Sequence, residues 1–128
     1  MEHLYIEATA HTPEVYFNID DDKLCMLGRS FPEDAASFYI PVVTWLENNI
    51  QEFAKRFVLE IQLEYFNTAS AKYLLKMIHI MEKYKSKHNI PVIVRWLYFE
   101  NDTDMKDSGT VYQQFVTIPF EFIAVERK

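Results

Sequence analysis

The run Asn67-Thr68-Ala69-Ser70-Ala71-Lys72 places hydroxyls and an amide at the expected first turn of a helix, where backbone N–H groups have no intrahelical partner. Either Asn67 or Thr68 can cap that turn by accepting from an N–H two or three residues on. The position also suits phosphorylation. A phosphoryl group brings about −1.5 to −2 charge to a point where the helix dipole and the free N–H groups favour an anion. Such a modification is expected to alter the surface and leave the fold intact.

Other reactive residue types offer less. The four histidines, His3, His11, His79 and His88, have no spacing that puts two on one helix face as metal ligands. Cys25 stands alone in an expected strand, where a buried small hydrophobe is its ordinary role. Asp20-Asp21-Asp22 lacks the alternate spacing that wraps a cation and reads as a hairpin turn. In Asp102 to Gly109, Lys106 stands where a calcium loop needs an oxygen, and no Glu closes the loop, so the stretch from Glu100 to Asp107 reads as a solvated acidic loop. Glu33 and Asp34 are adjacent and point to different sides of a helix, so they do not form a facing acid/base pair. The only two glycines, Gly28 and Gly109, cannot build a Gly-rich phosphate loop. No catalytic residue, metal or cofactor is expected.

The elements that must position the Thr68 segment follow from periodicity. Leu4 to Thr9, Val15 to Ile19 and Lys23 to Arg29 read as short strands. From Pro32 the pattern becomes helical through Phe38, Val42, Trp45, Leu46 and Ile50, with Pro41 expected to break or kink it. Phe57, Leu59, Ile61, Leu63 and Tyr65 then alternate with mostly polar residues, the mark of a strand with one buried face. Residues 69 to 87 form the clearest helix, with Ala71, Leu74, Leu75, Ile78 and Met81 on one stripe; lysines gathered at its end complement the dipole. Val92 to Phe99 is a second strong strand. A short helix carrying Val111, Phe115 and Val116 and a last strand over Pro119 to Val125 complete the order βββαβαβαβ. The expected class is α/β, a mixed sheet with helices mainly on one face and the later strands parallel. Glu60, Gln62 and Glu64 share the open face, where Arg29 and Arg95 are expected among the carboxylates.

The chain has 128 residues, 49% hydrophobic and 25% charged, the size and balance of one globular domain over 1–128. Its net charge of −6 repels phosphate backbones and anionic lipid, so nucleic acid is not an expected partner. Every apolar run is interrupted well before a membrane span, and neither a signal peptide nor a disulfide pair is evident, which points to a cytoplasmic protein.

Several separated motifs carry a resemblance. Leu4-Tyr5-Ile6-Glu7-Ala8-Thr9, Thr12-Pro13-Glu14-Val15-Tyr16-Phe17, Gly28-Arg29-Ser30-Phe31-Pro32-Glu33, Phe38-Tyr39-Ile40-Pro41, Trp45-Leu46, Tyr65 to Lys72 and Pro119-Phe120-Glu121-Phe122 together resemble the SiaC family of bacterial regulatory phosphoproteins. The resemblance spans nearly the whole chain. It implies a fold like the STAS domains of anti-sigma-factor antagonists, with a phosphoacceptor at the start of the helix after a central strand, a position that Thr68 matches. It also implies non-enzymatic partner switching: a dedicated kinase modifies the acceptor, a PP2C-type phosphatase restores it, and the unmodified form binds and activates a diguanylate cyclase in cyclic di-GMP and biofilm control. Sigma-factor antagonists usually carry an Asp-Ser acceptor pair, where this chain has Asn67-Thr68. The expected recognition surface comprises Asn67, Thr68, Ser70 and Lys72, Lys72 being one helical turn from Thr68. The alternative is a constitutive scaffold or small-ligand-binding domain in which Thr68 only caps a helix.

Overall fold

The computed structural model describes residues 3–53 and 55–127. The elements run β1 (Leu4–Ile6), β2 (Glu14–Asn18), β3 (Lys23–Ser30), α1 (Ala35–Asn49), a 3-10 turn (Ile50–Glu52), β4 (Phe57–Phe66), α2 (Thr68–His88), β5 (Val92–Phe99), α3 (Thr103–Phe115) and β6 (Phe120–Val125). The six strands form one sheet in sequence order. β1, β2 and β3 pair antiparallel, whereas β3, β4, β5 and β6 pair parallel through the helical crossovers. Each crossover advances one strand in the same direction, so crossovers of one hand lay all the helices on one face. This is the mixed, one-sided α/β arrangement that the alternating strands implied.

The covered face is apolar. Leu24 and Met26 of β3, Leu59 and Ile61 of β4, and Val94 and Trp96 of β5 are fully buried beneath Val42, Leu46, Leu74, Met77 and Ile78. The open face carries charge in register, with Glu60 aligned to Arg95 and Arg95 to Glu121 across neighbouring strands. Glu60 lies 3.4 Å from Lys23 and 3.6 Å from Arg95, and Arg95 lies 3.5 Å from Glu121. Glu64 accepts from Arg29 at 2.8 Å and from Arg127 at 3.1 Å. Such solvent-facing pairs contribute about 0–1 kcal/mol each and fix register more than they add stability.

Four expectations are corrected. Helix α1 is not broken at Pro41 but continues through it. Pro41 is on the exposed side, where water can serve the carbonyl left without its donor, while Tyr39, Val42, Val43, Trp45 and Leu46 hold the other side in the core. The acidic stretch after β5 is mostly helix: Asp102 caps α3 by accepting from the Met105 N–H at 3.0 Å. On α3 the buried residues are Met105, Gly109 and Tyr112, whereas Val111 and Phe115 are exposed and Val116 is the extended C-cap. Tyr65 leaves the core face because Gly28 pairs with Leu63 and Arg29 with Tyr65, which makes Glu64 an extra residue on β4. Past this bulge the phase inverts, so Tyr65 is exposed and Phe66 packs against the core.

Candidate functional site

The bulge delivers β4 into α2 with a specific set of bonds. Ser30 pairs with Phe66 at the end of the β3–β4 ladder, and the Asn67 N–H donates to the Ser30 carbonyl at 2.9 Å. Asn67 has extended backbone angles (φ −84°, ψ 174°), its carbonyl accepts the first helical bond from Ala71 at 2.9 Å, and its side-chain Oδ1 accepts from the Ser70 N–H at 2.9 Å. Asn67 is therefore the N-cap. Thr68 is the first helical residue and its side chain is exposed, with no hydrogen bond among the described residues. Of the two capping alternatives open in the sequence, the structure uses Asn67 and leaves the Thr68 hydroxyl unspent. The first turn of α2 holds no acidic side chain to compete with an added anion.

Ser70 is corrected from its expected place on the surface: it is wholly buried. Its hydroxyl donates to the Ser30 carbonyl at 3.1 Å and accepts from the Ser30 hydroxyl at 2.8 Å, and Ser30 bonds in turn to the Tyr39 hydroxyl of α1. This chain of hydroxyls ties the start of α2 to β3 and α1, so Ser70 holds the Thr68 turn in position from beneath. Burial pushes the Tyr39 phenol up, which keeps it a neutral hydrogen-bonding group.

Thr68 and Lys72 both line a shallow groove of about 360 Å³ between α2 and α3, whose other walls are Phe66, Ala71, Leu75, Ser108, Val111 and Tyr112. Lys72 is exposed on its rim. The Tyr112 hydroxyl donates to the Ala71 carbonyl at 2.8 Å and so fixes α3 against the first turn of α2. The Trp96 indole N–H donates to the Met105 carbonyl at 2.9 Å and fixes the start of α3 over β5. The α3 wall was missed from sequence. Its signal was a second apolar stripe, Val111 and Phe115, at i and i+4 beside the core stripe of Met105, Gly109 and Tyr112.

The other chemistry-bearing residues are elsewhere. Cys25 sits on the open face beside Glu60, and burial pushes its thiol up to about 11, which keeps it protonated and unreactive. His79 is exposed and pairs with Glu82 at 3.2 Å. The Asp20–Asp22 run forms the β2–β3 turn, with Asp22 in the left-handed region. Among the described residues no helix is long and apolar enough to cross a membrane.

A model of the SiaC family regulatory phosphoproteins matches residues 6–125. An uncharacterised protein of Pseudomonas aeruginosa strain UCBPP-PA14 is 25% identical over 120 residues, covering 94% of each chain. The structure is similar to that of SiaC of Pseudomonas aeruginosa, with a TM-score of 0.86 and 25% identity, covering 98% of this chain and 100% of that one. It has the same fold as a chain in the crystal structure of the diguanylate cyclase SiaD in complex with its activator SiaC from Pseudomonas aeruginosa (TM-score 0.88, 24% identity, 95% and 99% covered). The family match extends from β1 through β6 and includes the Asn67–Thr68 turn, so the chain belongs to the SiaC family of regulatory phosphoproteins.

Proposed function

We propose that this protein is a non-enzymatic partner-switching module of the bacterial cytoplasm, in which reversible phosphorylation of Thr68 controls which protein it binds. A kinase acts on Thr68, a PP2C-type phosphatase reverses it, and the unphosphorylated form binds and activates a diguanylate cyclase, so that cyclic di-GMP and biofilm formation follow its modification state. The observation that carries this reading is the division of labour at the helix start: Asn67 caps, while the Thr68 hydroxyl is exposed and unbonded on the rim of a mostly apolar groove. Similarity to SiaC, described as the activator of a diguanylate cyclase, supplies the class of partner.

The groove explains how a phosphate switches binding. Apolar contact with Leu75 and Val111 holds a partner at the site, and a dianion on its rim adds like-charge repulsion and a desolvation cost at that contact. Lys72 serves both states, meeting an acidic group of the partner in one and the phosphate in the other. Asn67 contributes through its cap, and Ser70 contributes from below by fixing the turn.

Titration calorimetry with the cyclase tests the surface. Thr68→Glu and Lys72→Glu are each expected to weaken binding, Lys72→Glu most clearly at low salt, where screening is least. Unchanged affinity for both variants would remove the α2 start from the interface.

A further inference from the structure

Helix α2 is basic in an acidic protein. It holds five lysines and one glutamate, while the whole chain carries a net charge of −6. The helix dipole accounts for Lys85, Lys87 and His88 in the last turn. It does not account for Lys76 and Lys83, which lie farther up the helix, because the dipole acts only within the terminal turn. At 3.6 residues per turn, Lys76, Lys83 and Lys87 fall on one exposed stripe opposite the buried Leu74, Met77 and Met81.

That stripe borders a groove of about 570 Å³ between α2 and the end of α1, where half-buried Ile80 lies beside the outer edges of the core residues Ile50 and Tyr84. No salt bridge among the described residues involves these lysines. The helix's own carboxylate, Glu82, is engaged by His79 and by the backbone N–H and hydroxyl of Thr117. Among the described residues Glu47 is the one carboxylate lining the groove. This groove and the Thr68 groove share no lining residue.

We propose that the α1–α2 groove is a second docking surface, and that its occupant is an acidic amphipathic helix of a protein partner. The helix sets apolar side chains on Ile80 and on the edges of Ile50 and Tyr84 that reach the groove, and its carboxylates meet Lys76, Lys83 and Lys87. Both halves of the groove are needed to select this occupant. Charge complementarity supplies the sign and the encounter rate, and the apolar floor supplies the contact that persists after docking. A nucleic-acid backbone uses only the lysines and meets a net repulsive field from the rest of the molecule. A lipid surface is flat, whereas the apolar residues here lie between two helices.

The test titrates the isotope-labelled full chain with a short synthetic helix bearing Glu on one face and Leu on the other, followed by amide NMR shifts. A scrambled peptide of the same composition, phosphatidylserine vesicles and duplex DNA form the other arms. The amphipathic peptide is expected to shift Ile50, Ile80 and Lys83, and the combined variant Lys76→Glu, Lys83→Glu, Lys87→Glu to weaken it about tenfold or more. Thr68→Glu is expected to bind it as the wild type does. Should the triple variant fail to fold, Lys83→Gln with Lys87→Gln makes the same comparison, with a several-fold loss expected. Absence of shifts at the groove, equal binding of the scrambled peptide, preference for vesicles or DNA, or loss of binding in Thr68→Glu would each overturn the proposal.

Discussion

Asn67→Ala removes the side-chain acceptor of the Ser70 N–H and is expected to lower stability by about 1 kcal/mol in urea unfolding. Thr68→Ala, one residue on, removes an exposed hydroxyl with no hydrogen bond among the described residues and is expected to stay within about 0.5 kcal/mol of the wild type. Equal losses for both would mean that the cap is shared and the Thr68 hydroxyl is not free. The composition of the turn was legible in the sequence, but the assignment of its cap was not, because Asn and Thr both serve at that position and only backbone angles separate them. Ser70 was misplaced for a different reason. Its partners, Ser30 and Tyr39, are far away in sequence, and a hydroxyl near a helix start reads as solvent-facing until the fold brings them together. Glu82 makes stability sensitive to acid. Glu82 accepts from the Thr117 backbone N–H and hydroxyl, with His79 adding to these, which holds its carboxyl below the ordinary value of 4.5. The unfolded chain then binds the proton more readily, so the contribution is complete above about pH 4.5 and is lost as pH falls through the lower native value. Glu82→Gln is expected to be less stable at neutral pH and to lose less on acidification. Parallel acid-unfolding curves for the two proteins would contradict that role.

Helix α3 meets the sheet closely. A Cβ on Gly109 would lie 2.7 Å from Trp96 Cδ1 and 2.7 Å from Phe122 Cε1, so something must move when one is added. Helix propensity alone favours Ala over Gly by about 1 kcal/mol. The clash with two packed aromatic rings is expected to prevail, with Gly109→Ala losing about 1–3 kcal/mol in thermal or urea unfolding; a gain in stability would show that α3 can ride outward at little cost. The same close approach explains why sequence periodicity chose the wrong face of this helix. Gly109 belongs to the core stripe but carries no apolar side chain to announce it, so apolar periodicity points to Val111 and Phe115, which are exposed. The bulge at Glu64 was equally hidden, since one extra residue leaves the alternation intact in sequence and inverts it in space. Pro41 misled in the opposite direction: its cost is real, but the buried residues flanking it hold α1 as one helix.

At the scale of the molecule, the alternation of β4 was enough to foresee a sheet with one covered face, because a strand buried on both sides has no room for Glu60, Gln62 and Glu64. Sequential strand order and same-sided crossovers then leave the helix layer as the surface that carries both grooves, with Thr68 at the head of α2. Which neighbouring helix would wall each groove was not legible, because side-by-side placement of helices depends on contacts distant in sequence. The fold therefore offers the Thr68 groove and a separate basic groove on the same helix. Control of the Thr68 groove by phosphorylation is tested by binding of the diguanylate cyclase to protein phosphorylated stoichiometrically at Thr68. Calorimetry is expected to find tight binding for the unmodified chain, loss of it for the phosphorylated chain with the fold unchanged by circular dichroism, and recovery after phosphatase treatment. Full retention of affinity by the phosphorylated chain would contradict the switch.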